Sequence, residues 1–212
     1  MKHSKPLGRR LATREPKRKF VLVCEGTCTE PEYLQSLQSA FRSSLVEVKI
    51  LGMGCDPLTV ARKAKEAQTS LQRTARRSGD SNDKNFEVWI VVDVDEHPRL
   101  AEAIDLARQS NIGVALSNPS FEIFAIYHFE DCHRPLSTRE AHQQLAIHIP
   151  GYSRTGKRFS IDYCGTDHNE RLAAVRTACR RAKVSVKRRE EEGNPYGSPC
   201  STCYELVQKL IP

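Results

Sequence analysis

The feature that most constrains this chain is an alternation of period. Short unbroken apolar runs, "KFVLVC" at 19–24 and "FEVWIVV" at 86–92, are each followed by a turn and then by a segment with helical spacing. A strand with one solvated face alternates apolar and polar residues, whereas an unbroken run marks a strand covered on both faces. Strands are expected at 19–24, 46–51, 86–92 and 112–116. Helices are expected at 32–41, from Asp56-Pro57 through Leu71 to the loop "RRSGDSNDKN", at 98–110 and at 120–129. Strand and helix taking turns is the sequence form of an α/β fold, a mostly parallel sheet flanked by helices.

The remainder differs in character. Residues 131–212 show loop chemistry, a short helix near 138–148, a longer one at 169–186, and a last helix reached through "GNPYGSPCST". The expected organisation is a basic, disordered tail at 1–18, an α/β domain at 19–130 and a helical extension at 131–212 packed on it. No apolar stretch is long enough to cross a bilayer and no secretory signal is evident, so a cytoplasmic protein with no membrane partner is expected. Eight cysteines without a secreted-domain rhythm are read as free thiols.

Charge is unevenly placed. The 33 Lys and Arg exceed the 26 Asp and Glu by the net +7, and the first 19 residues, with eight basic residues against Glu15, hold all of it; 25 of each sign remain. The tail and its junction, Lys17, Arg18 and Lys19, are candidate nucleic-acid contacts, with a solvated leader as the equal alternative. A second basic run, 176–189, includes Lys187 and Arg188, which are candidates on the same ground; a solvated helix face is the commoner explanation.

In parallel sheets ligands gather at the carboxyl ends of the strands. Three of the four expected strands end on chemically capable groups. The first ends at Glu25-Gly26, the third in "VVDVDEHP", and the fourth in "LSNPSFEIF" with Asn118, Ser120 and Glu122. In extended backbone, Asp93 and Asp95 project to the same side and can aim both carboxylates at one point. Like charges so close are costly unless a cation lies between them, and hard oxygen donors favour Mg²⁺ or Mn²⁺. Such a metal assists phosphodiester cleavage. Glu30, with Pro31 behind it, also suits the first turn of a helix capped by Thr27 or Thr29, and Glu122 has the same alternative. Glu32 is expected to face solvent.

A strand ending in Glu-Gly and a later one ending in Asp-x-Asp resemble the Toprim domain of topoisomerases, bacterial primases and OLD-type nucleases. More closely, "VCEGTCTEPEYLQSL", "VVDVDEHP", "LSNPSFEIFAIYHFED" and "NPYGSPCSTCYELVQKL" resemble the RloB-like family, Toprim-related proteins of antiphage defence loci also described as AbiLii-type abortive-infection proteins. The resemblance implies a metal-dependent nuclease acting on DNA or RNA, tRNA included. Glu25, Asp93 and Asp95 would be its catalytic and metal-binding acids, Glu30 and Glu122 further metal ligands, and Gly26, Asn118 and Ser120 supporting residues. It also implies a neighbouring ABC- or AAA-type ATPase as partner. The alternative is a non-catalytic nucleic-acid-binding or regulatory partner of that ATPase. Oligomeric state stays open. So does the basic residue that would clamp a phosphate, with Lys157, Arg158 and Lys187 as candidates. Cys200 and Cys203 have the spacing of a zinc knuckle and, with Cys164 and His168, would make four ligands, although Cys203 falls at the start of an expected helix.

Overall fold

The computed structural model describes residues 18–42, 46–94, 99–153, 156 and 158–212. Its centre is a five-stranded sheet in the order β2-β1-β3-β4-β5, formed by β1 (Arg18–Cys24), β2 (Val46–Gly52), β3 (Phe86–Asp93), β4 (Gly113–Asn118) and β5 (Cys200–Ser201). The first four strands are parallel, and β5 pairs antiparallel with β4. The helices between them are α1 (Thr29–Ala40), α2 (Pro57–Ser78), the single turn α3 (Ser81–Lys84) and α4 (Leu100–Gln109). After β4 come α5 (Glu122–Ile126), α6 (Thr138–His148), a 3-10 turn Ile161–Cys164, α7 (His168–Glu191) and α8 (Cys203–Leu210).

The unbroken apolar runs are explained by two separate cores. Along β1, Phe20, Leu22 and Cys24 face the layer built by α1 and the helices that follow β4, while Val21 and Val23 face α2 and α4. Trp89 and Val91 of β3 join the first core, and Val88, Ile90 and Val92 the second. Each fully buried aliphatic side chain contributes on the order of 1.5–3 kcal/mol, so the period-two division commits each strand to one register. The α2 helix starts where Asp56 accepts hydrogen bonds from the amides of Leu58 (3.1 Å) and Thr59 (3.2 Å), and stops at Gly79, whose φ of 66° is left-handed.

Several boundaries differ from the sequence pattern. The α1 helix begins three residues before the expected 32, because its first turn, Thr29-Glu30-Pro31, is buried against the sheet through Glu30 and Pro31. The expected threonine cap is not used: Cys28 is the N-cap and makes no side-chain cap hydrogen bond. The 120–129 helix is α5 plus tighter turns as far as Glu130. The region expected as a helical extension, 131–212, also supplies a strand. Just after β5, Thr202 donates its backbone N–H to the Leu116 carbonyl (2.8 Å), and its hydroxyl accepts from the Leu116 N–H (2.9 Å). Val175, Cys179, Leu206 and Val207 of α7 and α8 lie in the same core as Phe20 and Val91.

Candidate acidic site at the carboxyl end of the sheet

Strand β1 lies between β2 and β3, so the chain leaves its carboxyl end in one direction and returns on the other side through β3. Such a reversal opens a crevice between the two strand ends. Glu25 stands at the end of β1 and Asp93 is the last residue of β3. The two strand ends are joined through the backbone of Asp93: its N–H donates to Glu25 Oε2 at 3.2 Å, and the Glu25 N–H donates to the Val91 carbonyl at 2.9 Å. Both acids are half-buried. Asp95, the other carboxylate of that motif, and Lys17 and Lys157 lie outside the described residues.

A second pair of acids sits deeper, Glu30 and Glu122, each only 5% exposed. The Gly26 N–H donates to Glu30 Oε1 at 3.3 Å. A Cβ on Gly26 would lie 2.7 Å from that oxygen and closer still to its twin, so any larger residue here would displace the Glu30 carboxylate. Burial raises the pKa of Glu30 above its ordinary value; its own backbone N–H and that of Gly26 pull the other way, and the negative charges of Glu122 and Glu25 add to the rise.

Glu122 is held from both sides. Ser120 Oγ donates to its Oε2 at 2.6 Å, Tyr152 OH to its Oε1 at 2.6 Å, and His142 Nε2 lies 3.4 Å from the same Oε1. Thr29 also bonds Tyr152, tying the start of α1 into the network. The Tyr152 phenol is pushed well above its usual pKa, first by burial and then by Glu122, so it remains a donor. Beneath these acids lie Cys24 and Cys203. Both thiols are raised, Cys203 to about 12, chiefly by burial, and they stay protonated and inert.

Neither Tyr152 nor His142 was marked by any motif. His142 is one polar residue among several on α6, and Tyr152 follows it in a loop; their meeting with Glu122 is visible only once α6 has docked on α5. Asn118 turns elsewhere, donating through Nδ2 to the Tyr196 carbonyl at 2.5 Å, and thereby fixes the terminal segment to the end of β4. Arg18 and Lys19 sit at the opposite end of β1, about 20 Å from Glu25 at ~3.3 Å per residue, where Arg18 pairs with Glu87 and Lys19 with Asp83. Lys187 and Arg188 lie on α7, Lys187 beside Glu191 at 3.6 Å. Arg158 is engaged by the Ser153 carbonyl (2.9 Å) and Glu32 (3.8 Å), the latter exposed as expected.

A family model of RloB-like proteins matches residues 20–210, nearly the whole chain. The chain belongs to the RloB-like family. No curated protein and no solved structure matches it. The match spans every element that builds the acidic site, from β1 to α8, so the terminal segment with Cys200 and Cys203 lies within the RloB-like unit.

The donor set is suited to a hard divalent cation: the acids are carboxylates, two at strand ends and two buried, and the like charges beside Glu30 are what a cation would relieve. Among the described residues no three His, Cys, Asp or Glu side chains are gathered closely enough to hold a metal, a statement that includes Cys164, His168, Cys200 and Cys203. Mg²⁺ commonly takes one or two carboxylates and completes its shell with water and phosphate oxygens, which the Glu25–Asp93 pair satisfies in ligand type and number.

Proposed function

We propose that this RloB-like protein is a divalent-metal-dependent nuclease that hydrolyses phosphodiester bonds of DNA or RNA as the effector of an antiphage defence system. The observation that carries the reading is the meeting of Glu25 and Asp93 across the crevice between β1 and β3, backed by buried Glu30 and Glu122. Glu25 and Asp93 would hold the cation, Mg²⁺ or Mn²⁺, with Asp95 completing the motif. Bound there, the metal supplies Lewis-acid stabilisation of charge on the scissile phosphate and a more acidic attacking water. The protein's own groups do the positioning. The Asp93 N–H orients the Glu25 carboxylate, the Gly26 N–H fixes Glu30, and Ser120 and Tyr152 lock the rotamer of Glu122.

The resemblance to Toprim-type nucleases and to AbiLii-type proteins supports the reaction class and a partner ATPase that senses infection. One observation favours a second reading, a non-catalytic nucleic-acid-binding partner of that ATPase. Glu122 is already engaged by three side chains, as a purely structural carboxylate would be. The test is cleavage of DNA, messenger-like RNA and tRNA with Mg²⁺ or Mn²⁺, with and without the neighbouring ATPase. Metal-dependent products that disappear in Glu25→Ala and Asp93→Ala uphold the nuclease. Strand binding without products under every condition upholds the second reading.

A further inference from the structure

Beside the acidic site, one face of α6 lines an open groove. Its volume is about 580 Å³, within the range of sites that take small ligands. Thr138, Arg139, His142 and Gln143 line it from the helix, and Tyr152 and Ser153 from the following loop. These helical positions repeat at three and four residues and so share one face, while Ala141 and Leu145 on the other side are buried in the core.

Two features distinguish this groove from an ordinary polar surface. Its inner wall is the back of the Glu122 network: Tyr152 and His142, whose rings lie 5.6 Å apart at 31°, both contact Glu122 Oε1 and both line the groove. Its rim carries Arg139, exposed and without an ion pair among the described residues, although Arg134 nearby is paired with Glu140 at 3.2 Å. A guanidinium with no ion pair among the described residues, beside the partly exposed His142 ring and one side chain away from Glu122, is the chemistry that receives a phosphate and a flat ring together.

We propose that the α6 groove seats one nucleotide unit of a nucleic-acid strand next to the acidic site, with Arg139 taking its phosphate and the partly exposed His142 ring, backed by buried Tyr152, packing against its base or sugar. This rests on the nuclease reading for its substrate class, and it supplies the basic residue that the sequence left unassigned. It also accounts for the anchoring of Tyr152 and His142 on Glu122: the wall of the groove and the position of a candidate metal ligand are set by the same contacts.

The test is fluorescence anisotropy of labelled single-stranded RNA and DNA of roughly 12 nucleotides with the full chain, in EDTA so that no cleavage occurs. Arg139→Gln should weaken binding by roughly 5–10-fold and reduce the salt slope by about one phosphate contact. Arg139→Glu should weaken it further, and Arg73→Gln, in the separate groove between α2 and α4, should change neither. Binding by Arg139→Glu with wild-type affinity and slope overturns the proposal, as does a wild-type chain that binds no strand. Loss of binding in Arg139→Glu with no cleavage by the wild type under any metal keeps the groove and removes the nuclease. Wild-type cleavage that Arg139→Glu leaves intact, with binding unchanged, does the reverse.

Discussion

At the amino end of β1, charges of opposite sign are paired. Arg18 reaches Glu87 at 3.2 Å, Lys209 reaches the same carboxylate at 3.0 Å, and Lys19 contacts Asp83 at 2.6 Å. Beyond the other end of the strand, Glu25, Glu30 and Glu122 bring one sign of charge together, with Asp93 at the neighbouring strand end. The titration behaviour follows. Burial acts to raise Glu87, but the donors of Lys209, Trp89 and Arg18 outweigh it and leave its pKa below the ordinary carboxylate value; Glu30 is raised. At Glu30, where burial and the charges of Glu122 and Glu25 disfavour the ionised carboxylate, the fold gives up stability that a cation or substrate would recover.

The contrast can be broken or sharpened by substitution. The largest effect expected is on catalysis: Asp93→Ala or Glu25→Ala should lower metal-dependent cleavage by about 10²–10⁴-fold or more, with thermal unfolding little changed. Next, Tyr152→Phe removes a donor from buried Glu122 and should cost about 1.5–3 kcal/mol of stability, read by denaturant unfolding. Glu30→Gln should go the other way. It keeps an acceptor for the Gly26 N–H and removes a buried like charge, so in EDTA at pH 7 the variant should unfold at a higher temperature than the wild type, while losing part of any stabilisation by Mn²⁺.

The two ends should also respond to pH with opposite sign. Glu30, raised in the folded state, is protonated there before it is in the unfolded chain, so its cost appears as pH climbs through the unfolded value of 4.5 toward the folded one. The advantage of Glu30→Gln should therefore grow from pH 4 to 7. Glu87, lowered in the folded state, contributes stability above that same unfolded value and loses it as pH falls through the folded one. Glu87→Gln should then cost no more than about 1 kcal/mol at pH 7, because the side chain is one-third exposed and screened, and nothing at low pH. Stability curves in urea from pH 3 to 7 would show the two differences running in opposite directions. The smallest effect, below about 0.5 kcal/mol, is expected for Lys19→Met.

How much of this was legible in the residues varies with the range of the interaction. β1 and β3 announce themselves because a strand covered on both faces has nowhere to place a polar residue, and Glu25 and Asp93 stand out because each ends such a run. Glu30 carried two readings, first-turn acid and ligand, and its burial under Gly26 depends on where α1 lies against the sheet. β5 was not legible: two residues held by Ser117, Thr202 and Leu116 have no periodicity of their own. Tyr152 and His142 were missed for the same reason, since nothing in their spacing points to a glutamate thirty and twenty residues earlier. Long-range contacts made by single polar side chains leave no local trace.

The central claim is that Glu25 and Asp93 form a divalent-cation site at the end of β1 and β3, and calorimetric titration of Mn²⁺ into the full chain tests it without knowledge of the substrate. Saturable binding by the wild type that is lost in Asp93→Ala and in Glu25→Ala, with Glu87→Gln unaffected, is the predicted result. Equal Mn²⁺ binding by the wild type and Asp93→Ala, or none by either, would contradict the account.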